Sequence, residues 1–178
     1  MKRILLVSII LFTTLAGFGQ LVRPNRPGLR LDGSKGYITI NEFTGGYGLS
    51  GQTVPYSKHY FGFTSLHAYQ ANETFLVGAG TGILFYDDGI LIPLYIDLRI
   101  RLIQNFLFPY LSGSAGMLLN PSDFDPGSRL FINPAVGVMY TVHRNLALNA
   151  NAGVKIQMAA NDGRASFLSS KFGVTYKF

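Results

Sequence analysis

From residue 35 onward, apolar and polar residues alternate along the chain with a period of two. The clearest stretch is 90–102, where isoleucine and leucine occupy every second position and Asp97, Arg99 and Arg101 lie between them. The same alternation recurs at 145–158 and 166–178. Because successive side chains of a β-strand point to opposite faces, this pattern predicts long strands with one apolar and one polar face.

Five less regular stretches complete a set of eight predicted strands. They are 35–49, 58–70, 74–87, 105–119 and 130–142. The faces of the first two cannot be assigned, because Glu42, His59 and His67 do not separate from the aromatic residues. A bulge at Gly45 and Gly46 would explain a change of register there.

Alternation alone does not say which face is buried, since a secreted soluble barrel shows the same period. Runs of about 13 residues, tilted as in a barrel, cover roughly the 30 Å of a hydrocarbon core. Strands of soluble proteins centre on about 5–6 residues. The apolar faces are also too bulky for the narrow interior of an eight-stranded barrel. The pattern therefore predicts an all-β fold, an eight-stranded antiparallel transmembrane up-and-down β-barrel over residues 35–178.

The composition also argues against a protein surface that is exposed to water. The charged fraction is 13%, about half the roughly 25% of soluble domains. The chain contains no cysteine, which excludes disulfides and cysteine-based metal sites.

The connections between the predicted strands differ in length on the two sides. Links 71–73, 103–104 and 143–144 are short, whereas 50–57, 120–129 and 159–165 are longer. Asp88 and Gly89 form an exception. They are predicted to form a tight two-residue hairpin on the side that otherwise carries the longer links. Short periplasmic turns and longer outer loops are typical of bacterial outer-membrane barrels, so we expect both termini in the periplasm.

The first residues have the three-part pattern of a secretory signal peptide. Lys2 and Arg3 precede an apolar run, and small residues follow up to Gly19. Residues 1–19 are therefore predicted to be removed, which leaves Gln20 first. This mature end resembles those of many exported Bacteroidota proteins. Segment 20–34 contains arginines, prolines and glycines and is predicted to be a flexible basic periplasmic leader, with docking on a partner or on anionic lipid as the alternative.

The final strand carries the most specific motif. Its last eight residues are KFGVTYKF, in which a polar residue and a glycine precede two alternating aromatics: Lys171, Gly173, Tyr176 and Phe178. This motif resembles the β-signal of bacterial outer-membrane proteins, and the resemblance implies recognition by the outer-membrane insertion machinery. Residues 35–178 as a whole resemble the small eight-stranded outer-membrane barrels of Gram-negative bacteria, a likeness of architecture that carries no shared active site.

The formal charge of +6 falls by two with the signal peptide, and the remaining basic residues do not form one exposed patch, which argues against a nucleic-acid partner. A lumen network is predicted instead, and it consists of Asp97, Arg99, Arg101, Lys155 and Lys171. Asp97 and Glu42 are expected to neutralise Arg99, Arg101 and Lys155 across the barrel, since lipid-facing charges are costly. An anion-selective pore is the alternative, although eight strands leave little open lumen.

Candidate catalytic residues are few. Ser57 and His59 share a face near the outer end of the second strand, and Glu42 lies on the neighbouring strand, so these three could form a Ser-His-acid arrangement. A Ser-x-His pair is unspecific, and a hydrogen-bonding interfacial histidine is the expected role. The sequence shows neither a cluster at metal-ligand spacing nor a nucleotide fingerprint, so no metal, cofactor or enzymatic activity is predicted.

Three functional hypotheses follow. The first is a structural or accessory barrel in contact with outer-membrane lipid, lipopolysaccharide and another outer-membrane or periplasmic protein. The alternatives are a lipid A modifying enzyme and a narrow anion-preferring channel.

Overall fold

The computed structural model describes residues 34–49, 58–87, 89–102, 107–121, 129–158 and 164–178. These residues form eight strands: β1 Gly36–Gly48, β2 His59–Gln70, β3 Phe75–Tyr86, β4 Gly89–Arg101, β5 Leu107–Leu119, β6 Arg129–His143, β7 Leu146–Met158 and β8 Arg164–Lys177. Each strand pairs antiparallel with the next, and β1 pairs with β8 to close the barrel. The described residues include no helix that is long and apolar enough to cross a membrane. The eight-stranded antiparallel barrel predicted from the alternation is confirmed.

Two ends of the barrel can be distinguished. The first residue of β1 and the last of β8 lie at the same end as the short links between β2 and β3 and between β6 and β7, which we call the turn end. The opposite end is called the loop end. The predicted signal peptide 1–19 and all but Ser34 of the predicted leader 20–34 lie outside the described residues.

The register between β1 and β2 is continuous. It runs from Gly36, opposite Gln70, to Tyr47, opposite His59, without a shift. The bulge expected at Gly45 and Gly46 is therefore wrong. A register irregularity lies instead between β6 and β7, near Thr141 and His143 at the turn end.

The β3–β4 hairpin is offset by one residue from the prediction. Gly89 is the first residue of β4 and pairs with Tyr86, so the linking positions are 87 and 88 rather than 88 and 89. Gly89 has φ +147°, a conformation that side-chain-bearing residues rarely adopt, which explains the glycine at this position.

The strand faces follow the alternation. On β4, Ile96 and Leu98 are exposed outward while Asp97 and Arg99 are buried inside. β7 and β8 also show the predicted facing. An apolar outer surface around a polar interior is the arrangement that a barrel needs in a lipid bilayer.

Aromatic side chains fill the loop end of the interior. Tyr60 stacks on Tyr86 with 5.2 Å between ring centroids, and Phe167 meets Tyr60 edge-on at 5.4 Å. The position of Tyr86 near a strand end suggests an interfacial girdle, but it faces the lumen and is buried. At the turn end, Phe108 belongs to a second buried apolar cluster, together with Tyr110, Met139 and Ala147.

Gly78, Gly80 and Gly82 lie on the inner face of β3, and Gly80 makes room for a bulky neighbour. A Cβ atom on Gly80 would lie 2.6 Å from the hydroxyl oxygen of Tyr95, the paired residue of β4, whose ring lies over this glycine. Interior volume is therefore divided between very small and very large side chains, as a narrow barrel requires.

Candidate functional site

The centre of the lumen holds a buried ion-pair network around Arg99. Its guanidinium donates from Nη2 to Glu42 Oε1 and from Nε to Asp97 Oδ1, both at 2.9 Å. All three side chains are almost completely buried. Asn149 Nδ2 also donates to Glu42 Oε1, and Ser114 Oγ donates to Asp97 Oδ2 at 2.6 Å. Both carboxylates are thus held by a cation and by a neutral donor.

The network extends to the final strand. Lys171 Nζ lies 3.8 Å from Glu42 Oε2, and Thr175 Oγ1 donates to Asn149 Oδ1 at 3.2 Å. Glu42 is on β1, Arg99 on β4, Asn149 on β7 and Lys171 on β8, so the side chains connect strands that do not all pair directly.

The predicted partners of Arg101 and Lys155 need correction. Both residues face the lumen, but within the described part of the chain no carboxylate lies within ion-pair distance of either. Arg101 Nη2 donates to Gln70 at 3.4 Å and its guanidinium lies over the ring of Phe108 at 5.7 Å. Glu42 and Asp97 lie at the same height along the barrel axis as Arg99. Alternation assigns a residue to a face of the strand but does not reveal its height along this axis.

An aromatic cage surrounds the ammonium group of Lys155. Its Nζ lies 4.5 Å from the ring centroid of Tyr60 and 4.9 Å from that of Phe131, and it is 3.4 Å from the Tyr86 hydroxyl oxygen. Gln157 donates to the same hydroxyl. The sequence prediction placed Lys155 in the lumen but missed this cage, because its aromatics come from β2, β3 and β6.

The candidate catalytic residues do not come together. Glu42 faces the lumen and pairs with Arg99, whereas His59 faces outward at the loop end, 3.7 Å from the exposed carboxylate of Asp87. Because the barrel wall separates them, Glu42 cannot orient His59. Ser57 lies outside the described residues. Across the described ranges, no group of three His, Asp or Glu side chains is placed to share a metal ion.

The four residues of the predicted assembly signal divide between the two faces. Lys171 and Gly173 point inward, while Tyr176 and Phe178 are exposed on the outer surface. The two outward rings meet edge-on, with 4.9 Å between their centroids, and Tyr37 of β1 packs beside Phe178 at 5.3 Å. These aromatics therefore cover the turn end of the seam where β8 closes on β1.

A cluster of polar side chains interrupts the outer apolar surface. It occupies adjacent outward positions on three neighbouring strands and consists of Thr39, Asn41, Ser65, His67 and Thr81, which we call the β1–β3 polar patch. Thr39 is opposite His67, and Ser65 is opposite both Asn41 and Thr81. The patch is continuous because these positions are paired across strands.

The rest of the outer surface contrasts with this patch. Apart from Tyr140 near the turn end of β6, the outward positions of β4 to β7 between the strand ends carry aliphatic residues, methionine, proline, alanine and glycine. Aromatics flank the patch, with Phe43 and Phe63 towards the loop end and Tyr37 and Tyr69 towards the turn end.

Most hydrogen-bonding groups of the patch side chains have no partner among the described residues. The Tyr37 hydroxyl pairs with Nδ1 of His67. The side chains of Thr39, Asn41, Ser65 and Thr81 make no hydrogen bond to another described residue. The sequence contains a signal for the patch. On β1 the aliphatic Ile38 and Ile40 face the lumen, while Thr39 and Asn41 face outward. Because this is the reverse of the other strands, it prevented the assignment of the faces of β1 and β2.

Neither a protein-family model nor a curated protein sequence matches the chain. Among solved structures, it is similar to Neisserial surface protein A at 16% identity, with a TM-score of 0.59, over 82% of this chain and 99% of that chain. It is also similar to the N-terminal β-barrel domain of Pseudomonas aeruginosa OprF at 16% identity, with a TM-score of 0.55, over 83% of this chain and all of that domain. The chain therefore has the fold of the small eight-stranded outer-membrane β-barrels.

Proposed function

We propose that this protein is an integral outer-membrane β-barrel with an accessory role, and that it binds another membrane-spanning protein through the β1–β3 polar patch. The observation that carries the proposal is the concentration of hydrogen-bonding side chains in one part of a mostly apolar outer belt. The partner is a transmembrane protein that presents donors and acceptors at the same depth.

Lipid is a poor environment for this patch. Hydrocarbon tails neither donate nor accept hydrogen bonds, so an exposed amide such as that of Asn41 loses its interactions with water without replacement. Polar contacts between membrane-spanning segments contribute about 0.6–2 kcal/mol each. Several adjacent contacts would bind a partner at a defined angle around the barrel.

The orientation and assembly of the barrel belong to the same proposal. The turn end faces the periplasm, because short links face that side in bacterial outer-membrane barrels. The basic segment 20–34, which precedes β1 in the sequence, would then join the barrel on the periplasmic side. Tyr176 and Phe178 serve as the outward aromatics of the assembly signal, together with Lys171 and Gly173 on the inner face.

Removing the polar groups should separate binding from folding. In the double variant Asn41→Val, Ser65→Val, we expect the barrel to remain at least as stable, since apolar side chains suit the lipid-facing surface. The stoichiometric partner that co-purifies with the wild type in mild detergent should be lost. Composition is measured by native mass spectrometry, and stability by urea titration in lipid vesicles.

Ser170→Val provides the matched control, because Ser170 is an outward serine of β8 outside the patch. This variant should keep the partner. Isolation of the wild type only as a monomer, or retention of the partner by the double variant, would contradict the proposal. If the only protein that co-purifies is a second copy of this chain, the patch mediates self-association rather than an accessory role.

The narrow-channel alternative gives a different result in planar bilayers. Arg99, Tyr110, Phe167 and Met139 are among the large side chains that fill the described lumen and are almost fully buried. We therefore expect no steady conductance from the purified protein. A steady conductance that Arg99→Glu alters would favour the channel.

A further inference from the structure

The buried charges of the lumen are not balanced around Lys155. Glu42 and Asp97 are the buried carboxylates of the described residues, and both accept from Arg99. Lys155 is 4% exposed and has no carboxylate within ion-pair distance in the described strands. Burial of an ammonium group without a counter-charge is costly.

A second cation lies close to this unbalanced charge. Lys155 and Lys171 both line one cavity of ≈ 20 Å³. Lys171 has Glu42 at 3.8 Å, a distance too long for a hydrogen bond, and its ammonium lies 5.5 Å from the ring centroid of Tyr95. The cavity is therefore a small space lined by two positive groups.

The neutral lining of the cavity includes further hydrogen-bond donors. Tyr95 is buried, and among the described residues its hydroxyl makes no well-formed hydrogen bond, although the Thr64 side chain lies near it. The side chains of Thr44, Thr64 and Asn133 also line the cavity. A buried hydroxyl without a well-formed hydrogen bond is uncommon in native proteins, and its presence beside two ammonium groups points to a missing acceptor.

We propose that this cavity binds a monatomic anion, chloride under cellular conditions, between the ammonium groups of Lys155 and Lys171, with the Tyr95 hydroxyl as a donor. The volume is sufficient for about one water-sized particle, since such a particle needs on the order of 10–15 Å³ by this measure. A volume of this size suits a single small ion better than a polyatomic phosphate. The site is internal and does not depend on the partner proposed for the outer surface.

Bromide offers a direct test, because it replaces chloride and scatters anomalously. Crystals of the wild type grown in sodium bromide should show an anomalous peak between Lys155 Nζ and Lys171 Nζ. In Lys155→Met the peak should be lost. Arg101→Met is the matched control, since Arg101 is an inward cation that does not line the cavity, and its crystals should retain the peak.

The wild-type crystals decide the question even if a lysine variant fails to fold. Bromide at surface positions but not in the cavity would overturn the proposal, and so would a cavity peak that persists in Lys155→Met. A water molecule at the site in high bromide would have the same consequence.

Tyr95→Phe permits a test in solution that keeps the ring in place. The urea midpoint of the wild type in vesicles should rise when sodium gluconate is replaced by sodium chloride at equal ionic strength, because chloride binds only the folded barrel. Tyr95→Phe should reduce this rise, and Lys155→Met should abolish it. Equal rises in all three proteins would contradict a site in this cavity.

Discussion

Replacement of Arg99 by methionine is expected to lower the free energy of unfolding by about 3–5 kcal/mol, the usual cost of removing one partner from a buried ion pair. The change would leave Glu42 and Asp97 as buried carboxylates that retain only neutral donors and the distant Lys171. Methionine fills a similar volume, so the loss would come from charge rather than from a void.

Arg101→Met provides the comparison, because it makes the same chemical change two positions along the same face of β4. Arg101 contacts an amide and an aromatic ring rather than a carboxylate. We expect it to cost about 1 kcal/mol, the typical contribution of a cation–π or single hydrogen-bond contact. Urea titration in lipid vesicles measures both values. Similar losses in the two variants would show that the ion pairs do not dominate the stability of the lumen.

A second large effect is expected at Gly116 of β5. Its Cβ position would lie 2.6 Å from the Cα and 2.7 Å from the Cβ of Tyr95 on the paired strand. Backbone atoms cannot move aside as a flexible side chain can, so Gly116→Ala should separate β4 from β5 locally. We expect a loss of about 1–3 kcal/mol, as for other overpacked interiors.

Gly113→Ala on the same strand should have the opposite sign. Gly113 faces outward, and no atom lies within 4 Å of its Cβ position. An alanine there restricts the unfolded chain without strain and should add about 0.4–1 kcal/mol. The two variants are compared in the same vesicle titration. A loss at both positions would point to general intolerance of β5 rather than to contact with Tyr95.

The facing of most strands could be predicted because one face is almost purely aliphatic. On β4 and β7, every second residue is apolar over the whole strand, so lipid and lumen sides separate without further information. The outer faces of β1 and β2 carry Asn41 and His67, while Ile40 and Leu66 point inward. Alternation is present in both strands, but hydrophobicity no longer indicates which side faces lipid.

The partners of Arg101 and Lys155 across the lumen were beyond prediction for a different reason. Alternation assigns a residue to a face but not to a height along the barrel axis. Glu42 and Arg99 meet because the stagger of successive strands places β1 and β4 at matching heights. The same stagger sets Lys155 away from both carboxylates and beside the rings of Tyr60 and Phe131.

Closure of the barrel by β1 and β8 has a kinetic consequence. These strands are the first and last of the sheet, so their pairing joins the most distant parts of the barrel sequence, the kind of contact that forms slowly. Glu42 reaches its neighbours on β7 and β8 only when that seam forms. Before then, its carboxylate would enter the bilayer without its complete set of partners. Insertion of an open sheet into the bilayer is therefore disfavoured. The ion-pair network favours folding intermediates in which β1 and β8 are already paired before they enter the membrane.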